Sequence, residues 1–71
     1  MKKCIIKSTH LKEINKWYPS GFLRKPIMPG EFNDIPISFS EVQFDTKDGA
    51  NNYLKIHLMG QGYKENEIEI K

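Results

Sequence analysis

Apolar positions along the chain fall into short runs with two different periods. Residues 2–8, KKCIIKS, set the β-branched pair Ile5 and Ile6 between charges, and this predicts a short first strand. From His10 onward the period lengthens. Leu11, Ile14 and Tyr18 recur at spacings of three and four, with Lys12, Glu13 and Lys16 between them. The spacing predicts one amphipathic helix over residues 10–18, capped by Ser8 or Thr9 and stopped by Pro19. Residues 21–36 hold Gly21, Pro26, Pro29, Gly30 and Pro36. So much punctuation predicts an extended, irregular connection with at most a brief strand over 22–24. Phe22, Leu23, Ile27, Met28 and Phe32 would pin it, as a loop of that length in a small domain requires.

Strict alternation begins at Ile35, with Ile37 and Phe39 on the same face, and it resumes at Val42 and Phe44 after a change of phase that a bulge near 40–41 would explain. After the turn signal DTKDGANN, Leu54, Ile56 and Leu58 alternate with Tyr53, Lys55 and His57, which predicts the return strand of a hairpin. A helix over 50–59 competes, because Ala50, Leu54 and Leu58 are also four apart. Ile56 lies off that stripe and favours the strand. The terminal NEIEIK puts Ile68 and Ile70 inward and Glu67, Glu69 and Lys71 outward, the pattern of a protected edge strand.

These elements predict a single α+β domain over residues 1–71, with one short helix packed on an antiparallel sheet of about four strands. A partly open small β-barrel is the alternative. Leu11, Ile14 and Tyr18 would bury one helix face against Ile37, Phe39, Leu54, Ile56, Ile68 and Ile70. With 71 residues the core is small and stability should be only a few kcal/mol.

Composition locates the molecule more than it explains it. Hydrophobic residues make up 38% and charged residues 28%, the balance of a globular domain, not a disordered tail. The apolar run near the N-terminus is too short for a signal peptide or a membrane span, and a single cysteine cannot form an internal disulfide. Both point to the cytoplasm. The excess of Lys over Arg, with frequent Ile and Asn, suggests an AT-rich bacterial or phage coding sequence. Net charge is +2, unevenly spread. Residues 1–25 carry seven basic side chains against Glu13 alone, whereas 26–71 carry four against eight acidic ones. Such a layout can mark an anion-binding half or a dipolar docking surface. It also fits strands whose charges cancel across a sheet.

Catalytic and metal chemistry find little support. Cys4 sits in a predicted strand and reads as a small buried thiol. His10 and His57 are far apart along the chain, and no CxxC or HxxxH spacing occurs. Glu65, Glu67 and Glu69 read as a solvated edge, and Gly60-Gln61-Gly62 as a turn, since no GK[ST] follows. No enzyme, metal or cofactor is expected. The stretch NKWYPSGFLRKP concentrates aromatic and basic residues. Tyr18 and Phe22 read as core, with the cations around them forming an exposed rim. Lys12, Lys16, Trp17, Arg24, Lys25 and Met28 are therefore the expected binding residues. The sequence favours a non-enzymatic protein that occupies a partner protein's surface, as small regulators, inhibitors and immunity proteins do. A nucleic-acid-binding accessory protein using the basic N-terminal third is the alternative, with only weak binding expected from so small a net charge. A homodimer through an edge strand stays open.

Overall fold

The computed structural model describes residues 2–71. Six strands and one helix follow in the order β1 (Cys4–Ile6), β2 (Thr9–Leu11), β3 (Lys16–Tyr18), β4 (Ser20–Met28), β5 (Glu31–Ser38), α1 (Lys47–Gly60) and β6 (Ile68–Ile70), the last preceded by a 3-10 turn over Glu65–Glu67. Four strands form one sheet in the order β5-β4-β1-β6, and β2 and β3 form a separate hairpin. The α+β class is as expected, and no closed barrel forms among the described residues.

The sheet is mixed, however, because β1 and β6 are parallel. The chain path requires it. β5 runs in the direction of β1, α1 carries the chain back across the sheet, and β6 therefore re-enters in that same direction. β6 is an edge strand, as its alternating charges predicted. Only Ile68 of its two isoleucines is buried, and Ile70 is exposed.

One face of the sheet is the core. Cys4 and Ile6 of β1, Ile68 of β6, and Leu54 and Leu58 of α1 are buried together, with Leu23, Ile37, Phe39 and Tyr63 packed around them. Cys4 is fully buried, and burial pushes its thiol above the usual range. The thiol is thus held protonated and hidden, contrary to what a nucleophile needs.

Residues 10–18 are not helical. They form β2, a turn over 12–15 and β3, in which His10 opposes Trp17 and Thr9 opposes Tyr18. Asn15 takes φ 52°, a left-handed conformation that Asn tolerates and that reverses the chain. Its side-chain oxygen lies 3.0 Å from His10 Nε2, and the imidazole stacks on Trp17 with centroids 4.4 Å apart. Trp17 N–H donates to the Phe44 carbonyl and Phe44 N–H to that of Trp17, both at 2.8 Å, so the hairpin is tied to the segment leading into α1. Ile14, assigned above to a buried stripe, sits in the turn and is 54% exposed.

The helix lies where the competing reading put it. Thr46 caps α1 by accepting from Gly49 N–H at 3.0 Å, and Asp48 occupies the positive first turn. Ala50, Leu54 and Leu58 form the buried stripe, joined by Asn51, whose side-chain oxygen accepts from the Ser8 hydroxyl. Ile56 faces away from the sheet at 62% exposure, so the expectation that it belongs to the core is wrong.

The punctuated stretch 21–36 forms the two longest strands. Pro29 and Gly30 make the turn between them, Gly30 supplying the φ of +83° that a type II turn needs at its second central residue. Ile27 is an extra residue in β4, a bulge beside that turn. Pro36 is harmless for a geometric reason. Phe39 N–H donates to the Pro19 carbonyl, which sets odd-numbered residues of β5 to bond β4 and turns even-numbered ones outward. The missing N–H of Pro36 thus faces solvent. Among the described residues Pro26 lies past the last ladder bond on that side of β4, from Arg24 N–H to the Lys3 carbonyl. Beyond that point the β4-β5 pair continues without β1, as a two-stranded arm.

Candidate protein-binding surface

Because side chains alternate along a strand, the sheet has a second face. Core residues Cys4 and Leu23 oppose each other, as do Ile6 and Gly21, which assigns odd positions of β4 to the helix side. Ile5, Phe22 and Pro36 therefore share a row on the other side, with Lys3, Arg24 and Asp34 in the next row and Pro26 and Phe32 beyond it. No helix covers this face. Phe22, Pro26, Phe32 and Pro36 are all exposed. At the arm's tip Ile27 and Met28 are 61% and 56% exposed, and Ile35, on the helix side but past the helix, is exposed as well.

Two shallow grooves mark the surface. One, of about 550 Å³, runs along the arm between Lys3, Arg24, Pro26, Ile27, Met28 and Phe32. The other, of about 590 Å³, lies at the opposite end of β4 among Lys7, Thr9, Ser20, Phe22, Pro36 and Ser38. Both are open and mostly apolar, suited to a protruding side chain and not to an enclosed small molecule.

The expected binding residues do not form one rim. Lys12, Lys16 and Trp17 belong to the β2-β3 hairpin, which joins β4 at its start. Arg24, Lys25 and Met28 lie farther along β4, whose nine residues span about 26 Å. Trp17 is half-buried, with His10 stacked on its ring and Lys47 Nζ 5.9 Å from the ring centroid. It is no free stacking platform. Lys12 and Lys25 are exposed and, among the described residues, make no ion pair. Met28 is the best-placed of the six. Missing from the expectation were Phe22, Ile27, Phe32 and Ile35, read as ordinary pinning or alternation. The signal that could have found them is the density of large apolar residues around a Pro-Gly turn, far from any other element able to cover them.

Charges of the two halves meet in three ion pairs. Lys3 binds Glu67 at 2.8 Å, Lys16 binds Asp45, and Arg24 Nε donates to Asp34 at 3.1 Å. A fourth pair, Lys55 with Glu65, lies within the second half. Each of the first three joins a base of residues 1–25 to an acid of 26–71, but only Arg24 with Asp34 is a pair across neighbouring strands.

The Lys3-Glu67 pair makes stability depend on pH. The Lys3 ammonium, assisted by the Lys64 backbone N–H, holds the Glu67 carboxyl below its ordinary 4.5. A depressed acid contributes stability that is complete above the unfolded value and is lost as pH falls through the folded one. Asp45 beside Lys16 and Glu65 beside Lys55 are lowered in the same way. Urea midpoints should therefore be flat through neutral pH and decline below about 4.5. Glu67→Gln should lower the plateau and make the acid decline shallower. A decline of equal steepness in wild type and Glu67→Gln would assign it to other groups.

Among the described residues no three His, Cys, Asp or Glu side chains gather as a metal site would require. His57 Nε2 lies 3.2 Å from the Gln61 amide nitrogen, and His10 is engaged with Asn15 and Trp17. No family model matches the chain, and no curated protein or solved structure matches it.

Proposed function

We propose that this chain is a non-enzymatic binding protein of the regulator, inhibitor or immunity type, and that it docks on a partner protein in the cytoplasm through the β4-β5 arm and the open sheet face. The observation that carries this reading is the arm itself. A domain with so few buried side chains extends a two-stranded arm bearing Pro26, Ile27, Met28 and Phe32, all exposed, and exposed Phe22 continues its open face onto the sheet. Contiguous exposed apolar residues rimmed by charge are what protein interfaces use. Arg24 and Lys25 beside them fit the polar rim. The buried, protonated Cys4 and the engaged histidines support a role without catalysis.

Nucleic-acid binding is the weaker reading. Lys16 and Arg24 are neutralised by Asp45 and Asp34, and the remaining bases are divided between two ends of β4. Such a surface should bind polyanions loosely and release them with modest salt.

The test is site-specific photo-crosslinking in cells of the source organism, with the probe at Met28 or at Lys12. Capture of one defined protein from Met28 but not from Lys12 is expected. With that protein purified, Met28→Ala or Phe32→Ala should raise the dissociation rate by about 30-fold. Capture from Lys12 alone, or submicromolar binding to nucleic acid at physiological salt, would overturn the proposal.

A further inference from the structure

We propose that two copies of this chain join through the outer edge of β5, about a twofold axis at Asn33, making one continuous eight-stranded sheet. β5 ends the sheet order, so one side of its backbone has no strand beside it. The phase fixed by Phe39 N–H on the Pro19 carbonyl points the N–H groups of Phe32, Asp34 and Ser38 off that edge, while Pro36 offers only a carbonyl. Unpaired ladder groups of this kind call for an extended strand.

The sequence of β5 favours the register with its own copy in which the pairs nearest the axis are complete. In an antiparallel pair only residues of like phase oppose each other, so the axis must pass through a residue. An axis at Asp34 would set two carboxylates face to face. At Ile35 the pairs beside the axis would set Asp34 against Pro36, which cannot donate, so the centre of the ladder would lose two bonds and only the flanking Phe32-Ser38 pairs would be complete. At Pro36 the central pair would make no bond at all. At Phe32 it would pair Asp34 with Gly30 in the turn. With the axis at Asn33, Phe32 of each copy opposes Asp34 of the other, and all four N–H groups of these residues find carbonyls.

Charges agree with that choice. Glu31 faces Ile35, Asp34 keeps Arg24 within its own chain, and no like charges meet. Pro36 falls just outside this ladder, where its missing N–H costs no central bond. Because the axis is perpendicular to the sheet, both open faces lie on one side and both helices on the other. The apolar surface offered to a partner is thereby doubled and continuous. The short ladder is small beside a standard interface of roughly 1,600 Å², so a dissociation constant on the order of 10 μM is expected.

Sedimentation equilibrium across that concentration should show a reversible monomer-dimer equilibrium. Asn33→Asp should abolish it while leaving the monomer folded, since Lys25 lies opposite Asn33 within the chain and would welcome the new carboxylate. Asn33→Cys should form an intermolecular disulfide on mild oxidation, because non-hydrogen-bonded pairs bring Cα atoms to roughly 4.5 Å. The buried Cys4 will not compete. Glu31→Cys and Ile35→Cys should each fail alone and cross-link when mixed. A monomer at all concentrations, or cross-linking at 31 or 35 alone as efficient as at 33, would overturn the dimer. A monomeric result would leave the proposed docking function standing.

Discussion

Gly21→Ala should severely destabilise the protein, although the change adds a single methyl group. The new Cβ would lie 2.1 Å from the Ile5 carbonyl oxygen and 3.1 Å from two further backbone atoms of β1. No rotamer can relieve a clash with backbone, so β4 would have to move away from β1. The Gly21-Ile6 pairing and the Lys7-Ser20 ladder bond hold the centre of the sheet, and Ile37 of β5 packs opposite the same glycine. A cost of about 3 kcal/mol or more is expected, against a total stability for such a chain of roughly 4 to 10 kcal/mol. The control is Gly60→Ala. A Cβ there meets nothing within 4 Å, and the helix should gain about 0.5 to 1 kcal/mol. Urea unfolding followed by circular dichroism measures both. A Gly21→Ala protein with a wild-type midpoint would mean that β1 and β4 are not this close.

What the sequence showed and what it hid have physical reasons in particular residues. Cys4, Ile5 and Ile6 announced a buried strand because β1 is central and apolar on both faces. The NEIEIK alternation announced β6 because a charged outer face is what an edge strand displays. The Leu11, Ile14 and Tyr18 spacing misled because three residues at helical intervals arise as readily from a hairpin. There Leu11 and Tyr18 lie on different strands, and Ile14 sits in the turn. Local contacts that stabilise it, His10 on Trp17 and the left-handed Asn15, leave no periodic trace.

In 50–59 the mistake ran the other way. Ile56 was weighed as a core residue, and only its exposure reconciles it with the helix. Thr46, whose hydroxyl accepts from Gly49 N–H, starts α1 inside the stretch that reads as a hairpin turn. As for the arm, prolines were read as strand breakers without regard to which way their nitrogens point. That direction depends on which neighbour lies on each side, a tertiary fact. The same ignorance hid the binding surface. Phe22 and Phe32 look like core in a linear pattern, and only the absence of a helix over that face turns them outward.

Substitutions at Leu54 and Ile14 should have opposite outcomes that separate this fold from the one the spacing of residues 10–18 implies. Leu54 is fully buried, packed with Cys4, Ile6, Leu58 and Ile68. Leu54→Ala removes three carbons from the middle of that cluster and leaves a cavity that short strands on one side and a single helix on the other cannot close. A loss of about 2 to 5 kcal/mol follows, about half of a total of roughly 4 to 10 kcal/mol. Ile14→Asp, by contrast, places a carboxylate in an exposed turn beside Lys12 and Lys16, and its effect should stay within about 0.5 kcal/mol. Were residues 10–18 a packed helix, Ile14→Asp would put an uncompensated charge into the core and would be at least as damaging as Leu54→Ala. Denaturant midpoints for the two variants decide the matter: a folded Ile14→Asp with an unfolded or severely weakened Leu54→Ala is the outcome this architecture requires, and the reverse order would overturn it.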